Sequence, residues 1–90
     1  MEKTFSITMT GLVQGVGFRY YIKEKADHLG VTGLVKNLTN GNLYMECCGK
    51  QAILKKFVEA CQRGPALAQI TNCRVSEIAL KNFSDFKIEY

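Results

Sequence analysis

The segment Met9-Thr-Gly-Leu-Val-Gln-Gly-Val-Gly-Phe-Arg19 joins an alternating strand to a helix through a glycine-spaced turn. Gly15 and Gly17 can take backbone angles that other residues avoid, so successive N–H groups can converge on one concave point. The first N–H groups of a helix have no partner within the helix, and the helix dipole adds positive potential there. The guanidinium of Arg19 supplies paired donors that suit phosphate oxygens. The segment therefore predicts an anion site.

Hydrophobic periodicity predicts the elements on both sides of this turn. Alternation with a period of two indicates a first strand that ends near Gly11, and helical spacing follows to Leu29. The Asn40-Gly41 pair favours a hairpin turn, and Gly64-Pro65 ends a second amphipathic helix. The predicted elements are a strand over 4–11, a helix over 18–29, strands over 31–38 and 43–48, a helix over 50–63, and strands over 70–80 and 86–90.

This order, β-α-β-β-α-β with a short final strand, predicts a ferredoxin-like α+β sandwich. Right-handed crossovers would place both helices on one face of an antiparallel sheet of four to five strands. The parity of the apolar residues changes between Val75 and Ile78, which suggests a β-bulge there. Ninety residues, 47% of them hydrophobic, predict one domain over 1–90.

Charge and cysteine content narrow the classes of function. Twelve basic against eight acidic side chains give a net charge of +4 without basic blocks, which favours small anionic ligands and does not require nucleic acid. No apolar run is long enough for a membrane span or a signal peptide, so we expect a cytosolic protein that does not bind membranes. The four cysteines show no C-x-x-C spacing, and we expect reduced thiols, no metal and no cofactor.

Two motifs resemble the signatures of the acylphosphatase family. The first, G-x-V-Q-G-V-x-F-R, is matched in full by Gly11-Leu-Val-Gln-Gly-Val-Gly-Phe-Arg19. The second is similar to Gly33-Leu-Val-Lys-Asn37 followed by Gly41, Leu43 and Gly49. Two long motifs in the right order make the resemblance specific, and it covers nearly the whole chain.

Two positions depart from the second signature. Leu34 stands where the family usually has an aromatic residue, and Leu43 stands where it usually has valine. Both departures keep an apolar side chain. They bear on the shape of the substrate mouth and on local packing, and they leave the polar residues of the motif unchanged.

The resemblance implies hydrolysis of a small-molecule acyl phosphate, with inorganic phosphate or sulfate as a competing ligand. It implies that Arg19 binds the phosphate and that Asn37 positions the attacking water. The terminal carboxylate of Tyr90 is expected to pair with Arg19 and aim it, and Thr39 is expected to brace the turn after Asn37. Backbone N–H groups expected to hold phosphate oxygens belong to Gln14, Gly15, Val16, Gly17 and Phe18.

The chemistry of an acyl phosphate agrees with the residue types in these positions. Its leaving group is a carboxylate whose conjugate acid has a pKa of about 4 to 5, so departure needs no general acid. With a loose transition state, positioning and charge stabilisation can suffice without a metal or a nucleophile. A neutral amide at Asn37 can accept a hydrogen bond from water without repelling a phosphate dianion. We expect a monomer.

Three other functions share the predicted topology. RNA-recognition modules need aromatic residues on the central strands, whereas the third strand reads Leu43-Tyr-Met-Glu-Cys-Cys48. Metallochaperones place a C-x-x-C pair in the loop that here contains Gly15 and Gly17. A non-catalytic module that binds an acyl or carbamoyl phosphate within a larger maturation enzyme remains an alternative, against which the short chain argues.

Overall fold

The helices and strands follow the predicted order in the computed structural model, which describes residues 1–90. Their bounds are β1 (Glu2–Leu12), α1 (Phe18–Leu29), β2 (Thr32–Asn37), β3 (Leu43–Lys50), α2 (Gln51–Arg63), β4 (Gln69–Ile78) and β5 (Phe86–Glu89). This confirms the ferredoxin-like α+β architecture. Neither helix has the length and apolar character needed to cross a membrane.

The five strands form one sheet in the order β4-β1-β3-β2-β5. Neighbouring strands are antiparallel except β2 and β5, which run parallel. The sheet is therefore mixed, whereas the sequence pattern predicts an antiparallel sheet. The reason lies in residues 79–85, which cross the sheet from β4 to the opposite edge without changing ends. A strand that starts at the end where β4 stops must run opposite to β4, and that is the direction of β2.

The hydrophobic core lies between the sheet and the two helices. The apolar residues of α1 recur at helical spacing and are buried at Phe18, Ile22 and Ala26, as the sequence pattern predicts. The ring of Phe57 on α2 contacts that of Phe86 on β5, with centroids 5.9 Å apart. Both helices therefore bury their apolar faces against one side of the sheet.

The predicted bulge between Val75 and Ile78 is wrong. Val75 pairs with Ile7 and Ile78 pairs with Thr4 in an unbroken register, so the two residues lie on opposite faces of β4. The parity changes because Ile78 lies on the same face as its partner Thr4, whose Oγ1 accepts a hydrogen bond at 3.0 Å from Lys81 N in the segment 79–85. The register shift occurs instead beside Gly11, where a Cβ atom would collide with the backbone oxygen of Gln69.

Candidate active site

The turn between β1 and α1 presents a run of backbone N–H groups without partners. Gly15 and Gly17 have φ angles of 74° and 76°, a left-handed conformation, and a Cβ on either would meet no atom within 4 Å. Gly17 is the N-cap, no side chain caps the helix, and the first intrahelical bond runs from Tyr21 N to Gly17 O at 3.1 Å. No hydrogen bond within the protein is donated by the N–H groups of residues 14–20. They are available to an anion.

A cavity of about 140 Å³ at this turn contains both residues predicted to act in catalysis, Arg19 and Asn37. Asn37 is the last residue of β2, which brings it beside the start of α1. The complete lining consists of Val13, Gly15, Gly17, Phe18, Arg19, Tyr20 and Asn37. The backbone of the turn, the guanidinium and the amide thus share one small site.

Asn37 carries the structure's single buried side-chain nitrogen or oxygen atom without a hydrogen-bond partner, its Oδ1. Buried polar atoms nearly always have partners, because leaving one unpaired costs about 1 to 3 kcal/mol. Because Asn37 lines the cavity, its amide brings to the site an acceptor that no other group of the protein uses.

Gln14 connects the two halves of the site through its side chain, a function that the sequence pattern does not predict. Its Nε2 donates to the backbone oxygen of Leu38 at 2.8 Å and to that of Asn42 at 3.0 Å. These bonds tie the turn before α1 to the turn after β2, and they set the distance between the backbone cradle and Asn37. A glutamine side chain within an apolar turn was the available signal.

Thr39 and Tyr90 differ from their predicted arrangements. The hydroxyl of Thr39 makes no hydrogen bond, and the turn is braced by Gln14 and by Asn40, whose Oδ1 accepts from Asn42 N–H at 3.0 Å. None of the three ion pairs joins Arg19 to the carboxylate of Tyr90. Tyr90 contacts Arg19 through its ring instead, with the guanidinium carbon 4.9 Å from the ring centroid.

Apart from Tyr90, which contacts Arg19, the groups with shifted pKa values lie away from the cavity. Burial raises the pKa of Cys47 to about 12, and burial together with a hydrogen bond to Glu46 raises that of Tyr44 to about 12. Burial opposes ionisation of Glu46, but hydrogen bonds from Tyr44 and Lys81 lower its pKa overall. No cluster of three or more His, Cys, Asp or Glu side chains is arranged to hold a metal.

Comparisons of the sequence and of the fold with known proteins lead to the same family. The acylphosphatase family model matches residues 5–88. The acylphosphatase of Archaeoglobus fulgidus is 39% identical over 84 residues, which cover 93% of this chain and 94% of that protein. The crystal structure of acylphosphatase from Bacillus subtilis superposes with a TM-score of 0.94 at 35% identity, over 100% of both chains.

The same fold also occurs inside a longer protein. Full-length HypF, crystallised in a phosphate- and nucleotide-bound form, matches all of this chain with a TM-score of 0.91 and 29% identity, over 12% of its own length. The Archaeoglobus fulgidus and Bacillus subtilis proteins, which match over nearly their whole length, are acylphosphatases. The chain belongs to the acylphosphatase family.

Proposed function

We propose that the protein hydrolyses acyl phosphates to a carboxylate and inorganic phosphate. The observation that carries this proposal is the shared cavity, which is lined by the turn between β1 and α1, by Arg19 and by Asn37, whose Oδ1 has no partner within the protein. These groups provide donors for a phosphate and an acceptor for water. They are the two requirements for attack of water on a bound phosphoryl group.

The phosphoryl group binds to the turn and to Arg19. Backbone N–H groups from Gln14 to Phe18 donate to its oxygens, and the positive end of the α1 dipole favours its negative charge. Arg19 adds two parallel donors and a charge that persists at any working pH. None of the guanidinium donors of Arg19 is used in an ion pair or side-chain hydrogen bond of the protein. All of them are free for the ligand.

Asn37 orients the attacking water. Its Oδ1 accepts one hydrogen of the water, which directs a lone pair of the water oxygen toward phosphorus. Because the amide is neutral, it does not repel the phosphate. A carboxylate in its place would oppose a phosphate charge 4 Å away by about 4 kcal/mol at an effective dielectric constant of about 20.

Bond making and bond breaking then balance without a further group from the protein. The water oxygen forms a bond to phosphorus while the bond from phosphorus to the acyl oxygen breaks. The bonding electron pair leaves with the carboxylate, which is stable unprotonated at neutral pH. The proton of the water passes to a phosphate oxygen. Arg19 and the N–H groups stabilise the charge on the phosphoryl oxygens throughout.

The proposal also covers the setting of the reaction. Inorganic phosphate, a product with the same oxygens, and sulfate are expected to compete for the cradle. We place the protein in the cytosol as a monomer, which agrees with its four free cysteines, because disulfides are rare in that compartment.

Release of phosphate from benzoyl phosphate in the presence of EDTA tests the proposal. We expect turnover by the purified protein and its loss in Arg19→Ala. Arg74→Ala is the matched control, because Arg74 is exposed on β4 and lies outside the cavity. It is expected to keep full turnover. Equal turnover by the two variants, or turnover that requires an added metal, would contradict the mechanism.

A further inference from the structure

The guanidinium of Arg19 is held by one contact with the rest of the protein. It makes no ion pair and no hydrogen bond to another residue, and the ring of Tyr90 lies 4.9 Å from it. An arginine side chain has several freely rotating bonds, so an unrestrained guanidinium loses much conformational entropy when it binds a ligand. The Tyr90 ring restricts that freedom before phosphate arrives.

The Tyr90 ring has little to hold it in this position. Tyr90 follows β5, which ends at Glu89, and it is 89% exposed. Packing therefore does not fix the ring. Its polar contact is a hydrogen bond between its hydroxyl and that of Tyr20, with the oxygens 3.1 Å apart.

The backbone of Tyr20 is fixed in a helix, whereas Tyr90 lies beyond the last strand. Tyr20 lies in the first turn of α1 and lines the cavity, directly after Arg19 in the chain. Consecutive side chains on a helix point roughly 100° apart, so Tyr20 does not face the guanidinium of its neighbour. The ring of Tyr90 bridges that gap. The contacts form a closed loop from the helix through Tyr20 and Tyr90 to Arg19.

We propose that Tyr20 is a positioning residue, whose hydroxyl holds the Tyr90 ring over Arg19 and so pre-orients the phosphate clamp. This inference rests on the proposed function, in which Arg19 binds the phosphoryl group. Pre-orientation lowers the entropy that is lost when a phosphate group orders Arg19, and that loss occurs on binding, before the chemical step. Loss of its pre-orientation therefore raises KM and the inhibition constant of inorganic phosphate, and leaves kcat nearly unchanged.

The expected change is small because both rings are exposed. An exposed cation–π contact corresponds to about 2- to 5-fold in an equilibrium constant. Tyr20→Phe and Tyr90→Phe each remove one partner of the same hydrogen bond, so each is expected to raise both constants by about 2- to 3-fold. Tyr90→Leu also removes the aromatic ring, and we expect about 5-fold.

A double-mutant cycle with inorganic phosphate as the probe tests the inference. Tyr20→Phe is expected to have its full effect in the wild type and none in the Tyr90→Leu background. Tyr44→Phe is the matched control, because it removes a tyrosine hydroxyl that bonds to Glu46 outside the cavity. It should leave both constants unchanged. An unaltered inhibition constant in Tyr20→Phe, or an equal effect in the two backgrounds, overturns the inference.

A second measurement separates this inference from the proposed function. The NMR order parameter of the Arg19 Nε–H group reports the mobility of the guanidinium without substrate. Tyr20→Phe is expected to lower it, while Tyr44→Phe should not. If the protein failed to hydrolyse benzoyl phosphate, this result would still show whether Tyr20 restrains Arg19. If turnover were present and the order parameter unchanged, the role of Tyr20 would be refuted and the proposed function would stand.

Discussion

Replacement of Gln14 by leucine is expected to separate the phosphate cradle from the residue that positions water. Gln14 Nε2 donates to Leu38 O at 2.8 Å and to Asn42 O at 3.0 Å, and these bonds connect the turn before α1 to the turn after β2. Leucine has a similar size and no donor. The variant should therefore keep the fold while the two turns move independently.

The cost in stability can be estimated from the partners that remain. Leu38 O still accepts from Gly41 N, and Asn42 O still accepts from Leu38 N, so neither oxygen is left unpaired. Two lost hydrogen bonds then reduce the free energy of unfolding by about 1 to 3 kcal/mol. The effect on catalysis is expected to be larger, because a displacement of about 1 Å between reacting groups can lower the rate by about 100-fold.

The assay combines urea unfolding with kcat/KM for benzoyl phosphate. Gln14→Glu keeps the shape but places a carboxylate, which has no donor, against two carbonyl oxygens, so it should be less stable than Gln14→Leu. Gln51→Leu is the matched control, because Gln51 is exposed on α2 and makes no side-chain hydrogen bond. Wild-type stability together with wild-type kcat/KM in Gln14→Leu would refute the connecting role of this residue.

Three further predictions concern the cradle, the water site and acid stability. Gly17→Ala introduces a side chain at φ 76° in open space, so it should add backbone strain of about 1 to 2 kcal/mol. We expect a lower urea midpoint and weaker inhibition by phosphate. Unchanged values would contradict the conformational argument. Asn37→Asp should lower kcat/KM by about three orders of magnitude through repulsion of the phosphate, and full turnover would show that charge there is unimportant. Because the pKa of Glu46 is lowered in the folded protein, the ionised carboxylate stabilises the fold above about pH 4.5. This stabilisation is lost as the pH falls through the folded pKa. The free energy of unfolding of Glu46→Gln, measured in urea, should therefore fall less steeply with decreasing pH than that of the wild type. An equal dependence on pH would contradict the lowered pKa of Glu46.

The local part of the site was predictable from sequence. The change from a period of two to helical spacing, with glycines between, predicts a strand, a tight turn and a helix at Gly15 to Arg19, and the structure contains them. The position of Asn37 at the end of β2 follows from the hairpin pattern. Each of these features depends on neighbouring residues, which is why periodicity and turn chemistry suffice.

The non-local features could not be read from the pattern. The parallel pairing of β5 depends on the end of the sheet at which residues 79–85 cross, and no local signal specifies it. Gln14 bonds across 24 and 28 residues of chain, so its connecting role required the tertiary structure. The face of β4 on which Ile78 lies likewise depends on the same crossing segment, and a parity change alone does not distinguish this arrangement from a bulge.

Parallel measurement of phosphate binding and turnover in Asn37→Ala tests the division of work between Asn37 and Arg19 most directly. We expect Asn37→Ala to bind inorganic phosphate with nearly wild-type affinity and to lose turnover by at least about 100-fold, because only the water is misplaced. Arg19→Ala is expected to lose both. Retained turnover in Asn37→Ala, or a loss of phosphate binding as large as in Arg19→Ala, would contradict the account.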